Sequence, residues 1–311
     1  MVWVCLPSVV GTGLACYKPA KPEPQRAMTD PGPDSPDPYQ QPSRRQRWFD
    51  DLRLALMLLT RLPIPGGIHV EGQVARAVWL FPLVGVLVGL GGGAVFYAAN
   101  RIGLGISTSA LLTIGMQVLL TGALHEDGLA DTADGFGGGR TRERKLEIMR
   151  DSRIGTYGVV ALLLILSLRF SALQELASNL LSISDELDET ISHAGAIIVA
   201  LVAAGALSRA AMAAAWYLLP AARPDGLAAS GGSVPLPSAL LALGLAIAIA
   251  FLLLPGTAFI LAVAGVAAMT LAMVVLAHRQ IGGHTGDVLG AVQQATEITA
   301  LLAIGAATLQ V

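Results

Sequence analysis

Long apolar segments recur along this chain from about residue 77 to the C-terminus, separated by short polar loops. A helix crosses the bilayer core, about 30 Å thick, with about 20 apolar residues, and most of these segments have that length. Charged residues make up only 14% of the chain, against about 25% in ordinary soluble domains. The pattern predicts an all-α, polytopic membrane bundle with spans near 77–99, 106–124, 155–173, 194–219, 237–254, 257–277 and 287–309.

The number of spans and the short apolar stretch before the first span depart from this simple pattern. Only Pro255 and Gly256 divide the fifth and sixth candidate spans, so six and seven spans both remain open. The apolar stretch 52–62 is too short to cross the bilayer, charged residues flank it, and Pro63 stops it. We expect a short interfacial amphipathic helix there.

The first 46 residues differ in composition from the rest. Residues 18–43 are rich in Pro, Asp, Gln and Ser, and such a segment buries too little apolar surface to fold. We therefore expect a disordered N-terminal extension over 1–46 and a transmembrane domain over 47–311. The natural start is hypothesised to be Met28, which N-terminal sequencing would test.

The distribution of Lys and Arg predicts the orientation in the membrane. Loop 125–153 carries six cations, whereas loop 174–192 carries five acids and no Lys or Arg. Because cytoplasmic loops are enriched in Lys and Arg, loop 125–153 is expected inside. Alternation of the spans then places Arg223 and loop 278–286 on the same cytoplasmic side. The net charge of −2 gives no indication of nucleic-acid binding.

Four acids lie within the motif HEDGLADTADGFGGG, at 125–139. If the helix of the second span continues through it, Asp127, Asp131 and Asp134 share one helical face at i, i+4 and i+7. Ionisable residues beside a membrane span are costly and indicate a functional site. Together with Glu126, they are suitable ligands for Mg²⁺ or Mn²⁺. The alternative is a solvated acidic loop.

A glycine-rich and basic stretch follows, FGGGRTRERKLEIMRDSRIGTYG, at 136–158. Its glycines let backbone N–H groups approach an anion. Arg142, Arg144 and Lys145 are expected mainly to anchor the cytoplasmic face. Asp151 and Arg153 lie at the mouth of an apolar span and are assigned to the site.

A third polar motif, GGHTGDVLGAVQQATE, opens the last span at 282–297. His284 is equally compatible with a general base, a phosphate ligand and an ordinary surface histidine. Asp287 begins the span, and Glu297 lies deep within it, where a carboxylate needs a partner. Arg209, within the fourth span, is the expected cation, although snorkelling to the interface would also explain it.

These residues combine carboxylates for a divalent cation with cations for a diphosphate. They predict metal-assisted phosphoryl transfer. The three motifs, together with TRLPIP (60–65), WLFPLVGVLVG (79–89) and ALSR (206–209), closely resemble the cobalamin synthase family. The resemblance runs from about residue 48 to the C-terminus and leaves out residues 1–46.

The resemblance implies an Mg²⁺-dependent enzyme of the bacterial cytoplasmic (inner) membrane, acting in the last steps of cobalamin biosynthesis on the cytoplasmic face. It would transfer the adenosylcobinamide-phosphate group of adenosylcobinamide-GDP to α-ribazole or its 5′-phosphate, releasing GMP, with the ribazole 5′-hydroxyl as nucleophile. A homo-oligomer or a complex with other late-pathway enzymes is expected. The mapped residues are Asp131, Asp134 and His284 for catalysis; Glu126, Asp127, Asp131 and Asp134 for metal; and Arg150, Asp151, Arg153, Arg209, Asp287 and Glu297 for substrate.

Two other functions compete with this interpretation. A CDP-alcohol phosphotransferase acting on lipids would place Ala-Arg soon after a DG pair, but here Asp131 follows Ala130. A cation transporter would more often place its carboxylates in mid-span on broken helices, whereas this cluster is predicted at the cytoplasmic end.

Overall fold

The computed structural model describes residues 4–7, 14–17, 44–65, 74–181, 189–225 and 231–308. The chain separates into two units, residues 1–43 and 44–311. In the first unit, β1 (Val4–Pro7) and β2 (Leu14–Tyr17) form an antiparallel pair with Val4 opposite Tyr17. A helix begins at Arg44, three residues before the expected start of the transmembrane domain, and the disordered extension over 1–46 stays a prediction. Residues 18–43, with Met28, lie outside the described residues.

The second unit is built from helices, as predicted. A 3-10 turn (Val78–Leu80) joins the second helix to the third. The helices are α1 (Arg44–Leu59), α2 (Val74–Ala77), α3 (Phe81–Arg101), α4 (Ile106–Thr121), α5 (Leu124–Gly138), α6 (Arg142–Ile148), α7 (Thr156–Leu181), α8 (Glu189–Leu218), α9 (Leu236–Leu253), α10 (Gly256–Ile281) and α11 (Gly286–Thr308).

Six helical segments in the described part of the chain are long and apolar enough to cross a membrane. The break at Pro255 is confirmed, because α9 and α10 are separate helices on either side of it. The choice between six and seven spans now depends on whether the bent pair α4–α5 counts as one more span. The segments are Val74–Arg101, Thr156–Ser178, Ala194–Leu218, Leu236–Leu253, Gly256–Ile281 and Gly286–Ala307.

The expected continuation of the second span through the acid motif is wrong. Helix α4 ends at Thr121, and Gly122 and Ala123 both adopt left-handed backbone conformations, with φ of 64° and 58°. The axis of α5 is bent 88° from that of α4. The acid motif is therefore helical, but it lies across the bundle end rather than along the span.

Small residues set the packing of the central helices. Glycines at 85 and 205 bring α3 and α8 into backbone contact, since a Cβ on either glycine would overlap the other's carbonyl group. Close approach of this kind supplies van der Waals packing where lipid gives no hydrophobic drive. Helices α8 and α11 are mostly buried, so the polar residues they carry face protein.

The predicted short amphipathic helix corresponds to α1, which begins earlier than expected. Its apolar side packs against the bundle, and Leu54, Ala55 and Leu59 are buried. At its polar side, Asp51 accepts two hydrogen bonds from Arg76, at 3.0 and 2.7 Å. The helix is thus fixed to the start of the first span by an ion pair and by buried apolar contacts.

The loops that carry the polar motifs meet at one end of the bundle. Arg142 donates hydrogen bonds to the carbonyls of Ile281 (2.7 Å) and Ala222 (2.6 Å), and the Ala222 amide donates to the His284 carbonyl at 2.8 Å. The segments around 142, 222 and 284 are therefore neighbours, as the charge pattern predicted. Arg142 thus joins two loops within the protein, and its expected role at the membrane surface stays a prediction.

Candidate active site

Helix α5 presents its acids in the predicted helical register, but in different environments. Asp127 is exposed, Asp131 is half-buried, and Glu126 and Asp134 are buried. The four acids therefore do not form a single group. Among the described residues, no three His, Cys, Asp or Glu side chains are arranged to hold a metal ion.

Asp127 shares a cavity of about 230 Å³ with Asp287, at the start of α11. The two helices approach closely at Gly128, where a Cβ would lie 2.8 Å from the Asp287 carbonyl oxygen. The glycine after Asp127 therefore allows α11 to bring a second carboxylate to α5. We call this space the central cavity; it is lined by Leu58, Leu59, Phe81, Leu124, His125, Asp127, Gly128, Met212, Trp216, Arg223, Asp225, Gly286, Asp287, Leu289 and Gly290.

Negative charge is concentrated beside this cavity. The carboxylates of Asp127, Asp287 and Asp134 all act electrostatically on Asp131, and Arg223 is the opposing cation. Arg223 lies 3.7 Å from Asp287, which also accepts a hydrogen bond from Thr285 at 3.1 Å. Carboxylates in this proximity repel one another, so a bound cation would stabilise the arrangement.

Asp134 joins two helices rather than facing the central cavity. Its carboxylate accepts the backbone N–H groups of Gly155 (2.7 Å) and Gly158 (2.9 Å), at the start of α7. A Cβ on either glycine would overlap the carboxylate, which explains the glycines of the RIGTYG segment. The setting of Asp134 is that of a helix-end anchor, and the metal and catalytic roles expected from sequence stay predictions.

A second space of about 540 Å³, here called the basic cleft, contains Arg150, Asp151 and Arg153. Arg153 binds Asp151 at 2.6 Å, and hydrogen bonds from Arg153 lower the pKa of Asp151 to about 2. Arg150 binds Asp225 of the central cavity at 2.5 Å, so this pair connects the two spaces. The cleft is lined by Asp134, Gly138, Arg144, Glu147, Ile148, Arg150, Asp151, Arg153, Gly155, Thr156 and Tyr157.

Glu126 points into a buried ionic network rather than toward the other acids. Arg169 lies 3.2 Å from Glu126 and 2.9 Å from Glu297, and Glu297 also pairs with Arg209. The predicted pairing of Arg209 with an acid of the last span is confirmed. None of the four residues of this network lines the central cavity or the basic cleft. Their positions therefore give no support to the expected metal role of Glu126 or to the expected substrate roles of Arg209 and Glu297.

Arg169, the centre of this network, was not predicted from the sequence. Its side chain also donates to Gln117 at 2.8 Å, and Gln294 donates to Glu126 at 3.0 Å. The sequence did contain an indication of its importance, because an arginine within an apolar span is as costly as a glutamate there. Asp225 was missed as well, and its sequence context carries no comparable signal.

His284 lies outside the lining of the central cavity. Its ring lies 5.8 Å from that of Trp216 and lines a different cleft from Asp127 and Asp287. Burial lowers the pKa of His284 to about 4, so the imidazole is neutral at pH 7. The position of His284 therefore gives no support to the expected role as a general base.

Comparison with known proteins identifies the family. The sequence profile described as cobalamin-5-phosphate synthase matches residues 51–305. Relatives named adenosylcobinamide-GDP ribazoletransferase include those of Bradyrhizobium diazoefficiens (47% identical, 82% of this chain, 93% of the relative), Mesorhizobium japonicum (46%, 82% and 92%) and Sinorhizobium medicae (43%, 84% and 98%). No solved structure matches. Because both the profile and the relatives cover most of its length, the chain belongs to the cobalamin-5-phosphate synthase family.

Proposed function

We propose that this protein is an adenosylcobinamide-GDP ribazoletransferase, the activity named for its relatives. It transfers the adenosylcobinamide-phosphate group to α-ribazole or its 5′-phosphate and releases GMP. The observation that best supports the proposal is the meeting of Asp127 and Asp287 in one cavity, with the arginines of the basic cleft connected to it through Asp225. Carboxylates and arginines together suit the transfer of a phosphoryl group out of a diphosphate.

The chemistry follows from the two substrates. A ribose hydroxyl oxygen of the acceptor attacks the phosphorus that carries cobinamide, the bond from that phosphorus to the GMP oxygen breaks, and GMP leaves. The family description names a cobalamin 5-phosphate as the product. The ribose 5′-oxygen of such a product carries the phosphate and cannot also form the new bond, so the description favours a secondary ribose hydroxyl as the nucleophile. The 5′-hydroxyl expected from sequence is therefore replaced as the nucleophile. A carboxylate among Asp127, Asp131 and Asp287 accepts the hydroxyl proton.

Mg²⁺ suits these carboxylates. Mg²⁺ usually takes one or two carboxylates and completes its shell with water and substrate phosphate oxygens, so it does not require a preformed group of three ligands. One or two of Asp127, Asp131 and Asp287 would hold it, whereas Glu126 and Asp134 already have partners in the protein. When bound, the metal would neutralise the charge of the diphosphate and of the departing GMP.

The basic cleft is proposed to hold the phosphates of the donor. Arg150 and Arg153 are exposed and paired with Asp225 and Asp151, and phosphate oxygens compete well for guanidinium groups. The concentration of Arg and Lys around α6 supports a cytoplasmic position for this end of the bundle, in the bacterial inner membrane.

The test is the reaction itself with purified protein. With Mg²⁺, adenosylcobinamide-GDP and α-ribazole, we expect GMP and the cobalamin product in equal amounts by chromatography. Asp131→Asn should lower turnover about 100-fold or more, and omission of Mg²⁺ should do the same. The matched control is Glu143→Gln, an exposed acid on α6, with unchanged turnover. GMP release no higher than in a heat-killed sample would refute the proposal.

A further inference from the structure

We propose that the central cavity binds the bicyclic aromatic base of the acceptor, with its ribose toward Asp127 and Asp287. The inference deepens the proposed function and rests on it, because it assigns one of the two substrates to a defined place. The cavity lies between α1, α3, α5, α8 and α11. It takes a flat apolar group at one side and a polar group at the other.

The walls of the cavity have the chemistry of a site for an aromatic base. Phe81, Met212, Trp216 and Leu289 are each at most 5% exposed and contribute apolar surface from three helices. Flat aromatic rings pack favourably on aromatic side chains and on the thioether of methionine. A benzimidazole joined to ribose carries no exocyclic hydrogen-bonding group, so its one acceptor nitrogen is the only edge group of the base that needs a polar partner.

Size and polarity argue against the other substrate as the occupant. Sites for drug-sized ligands begin at about 300 Å³, and this cavity measures about 230 Å³. A corrinoid macrocycle is far larger than that. Guanine has the right size, but its carbonyl, amino and ring N–H groups would find partners only at the charged side of the cavity, and against the apolar walls they would lack them, which is costly.

The charged side of the cavity fixes the direction of the nucleoside. Arg223 lies 3.7 Å from Asp287, and its Nη1 atom is buried without a hydrogen-bond partner among the described residues. An unsatisfied buried guanidinium nitrogen is a ready donor for a hydroxyl or a phosphate oxygen. With the base among the apolar residues, the ribose reaches Arg223 and the carboxylates that accept the proton.

The first experiment narrows the cavity and measures each substrate separately. Met212→Phe places a bulkier ring in the apolar wall, and Leu218→Phe is the matched control, on the same helix but 55% exposed. For Met212→Phe we expect the KM for α-ribazole to rise about tenfold or more, with the KM for adenosylcobinamide-GDP within about twofold. Equal changes in both KM values, or a change only for the donor, would overturn the inference.

A second measurement does not depend on how well that variant folds. Trp216 lines the cavity, so α-ribazole should quench the tryptophan fluorescence of the wild-type protein. Trp216→Phe keeps an aromatic wall and should still bind α-ribazole in equilibrium dialysis, but with the quenching largely lost. Quenching that survives in Trp216→Phe, or that GMP reproduces at the same concentration, would contradict the assignment.

Arg223→Gln tests the polar side of the site. It should weaken binding of α-ribazole 5′-phosphate about tenfold more than binding of α-ribazole, because a phosphate gains more than a hydroxyl from a guanidinium group. Equal weakening of both ligands would remove Arg223 from the proposal. These binding measurements need no donor and no turnover. The assignment of the cavity can therefore be refuted independently of the proposed function. If the wild-type protein binds α-ribazole but releases no GMP, the proposed function fails and the assignment of the cavity does not.

Discussion

Glu297→Gln is the sharpest test of the buried ionic network. Glu297 is the acid that both arginines share, with Arg169 at 2.9 Å and Arg209 also paired to it, and its side chain is 2% exposed. Glutamine keeps the shape of the side chain and removes its charge. Arg169 then retains Glu126, but Arg209 has no other acidic partner among the described residues.

The expected loss of folding stability follows from the uncompensated charge of Arg209. Breaking a buried ion pair by removing one partner costs about 3–5 kcal/mol, because the other charge stays buried without compensation. At about 1.4 kcal/mol for each factor of ten, the ratio of folded to unfolded protein falls by a factor of at least about 100. Detergent-solubilised protein unfolded by SDS titration and followed by circular dichroism measures this change.

A second substitution decides whether the cause is charge. Glu297→Gln combined with Arg209→Gln leaves the Arg169–Glu126 pair and restores neutrality, so the double variant should be more stable than Glu297→Gln alone. The control is Glu147→Gln, in an exposed ion pair with Arg144, where a loss below about 1 kcal/mol is expected. A double variant as unstable as the sum of both single variants would refute the argument, since independent sites add.

Three further predictions concern single residues. Asp134→Asn should destabilise the protein by about 2–4 kcal/mol in the same unfolding assay, because the carboxylate accepts two backbone N–H groups and an amide offers one acceptor; an unchanged midpoint would contradict this. Ala123→Gly should raise stability by up to about 1 kcal/mol, since φ at this residue is 58° and glycine carries no left-handed penalty; a lower midpoint would contradict it. The folded pKa of His284, about 4, is below the ordinary 6.5, so the unfolded chain binds the proton first and stability is lost as pH falls from 6.5 to 4. His284→Gln should flatten that part of the pH dependence, and an identical slope would exclude this histidine as its source.

Periodicity and charge predicted most of the fold. The length of the apolar segments located six of the seven predicted spans within a few residues, and the Lys/Arg bias correctly placed the three polar motifs at one end of the bundle. Both rules act through local sequence and the membrane, so neither needs tertiary contacts. The break before α5 was missed because Ala123 is left-handed, a conformation that the sequence of an alanine does not indicate.

The environments of the acids could not be predicted in the same way. The spacing of Asp127, Asp131 and Asp134 predicted a common helix, which the structure has. The contacts of each carboxylate depend on the neighbouring helices. Asp127 lies beside α11, and Asp134 accepts backbone N–H groups at the start of α7. Helical spacing shows which residues share a face, but the partners of that face are fixed by packing between segments far apart in sequence.

The bend between α4 and α5 has a consequence for the depth at which the chemistry takes place. Helix α4 has 16 residues and rises about 24 Å, which is less than the hydrocarbon thickness of about 30 Å. A helix of this length that starts at one hydrocarbon boundary reaches the turn at Gly122 before the other boundary, and the acids would then begin below the level of the headgroups. Either the bilayer thins beside α4 or the site lies in a recess. We therefore expect the acyl-chain length of the surrounding lipid to be one of the variables that set access to the reacting phosphate.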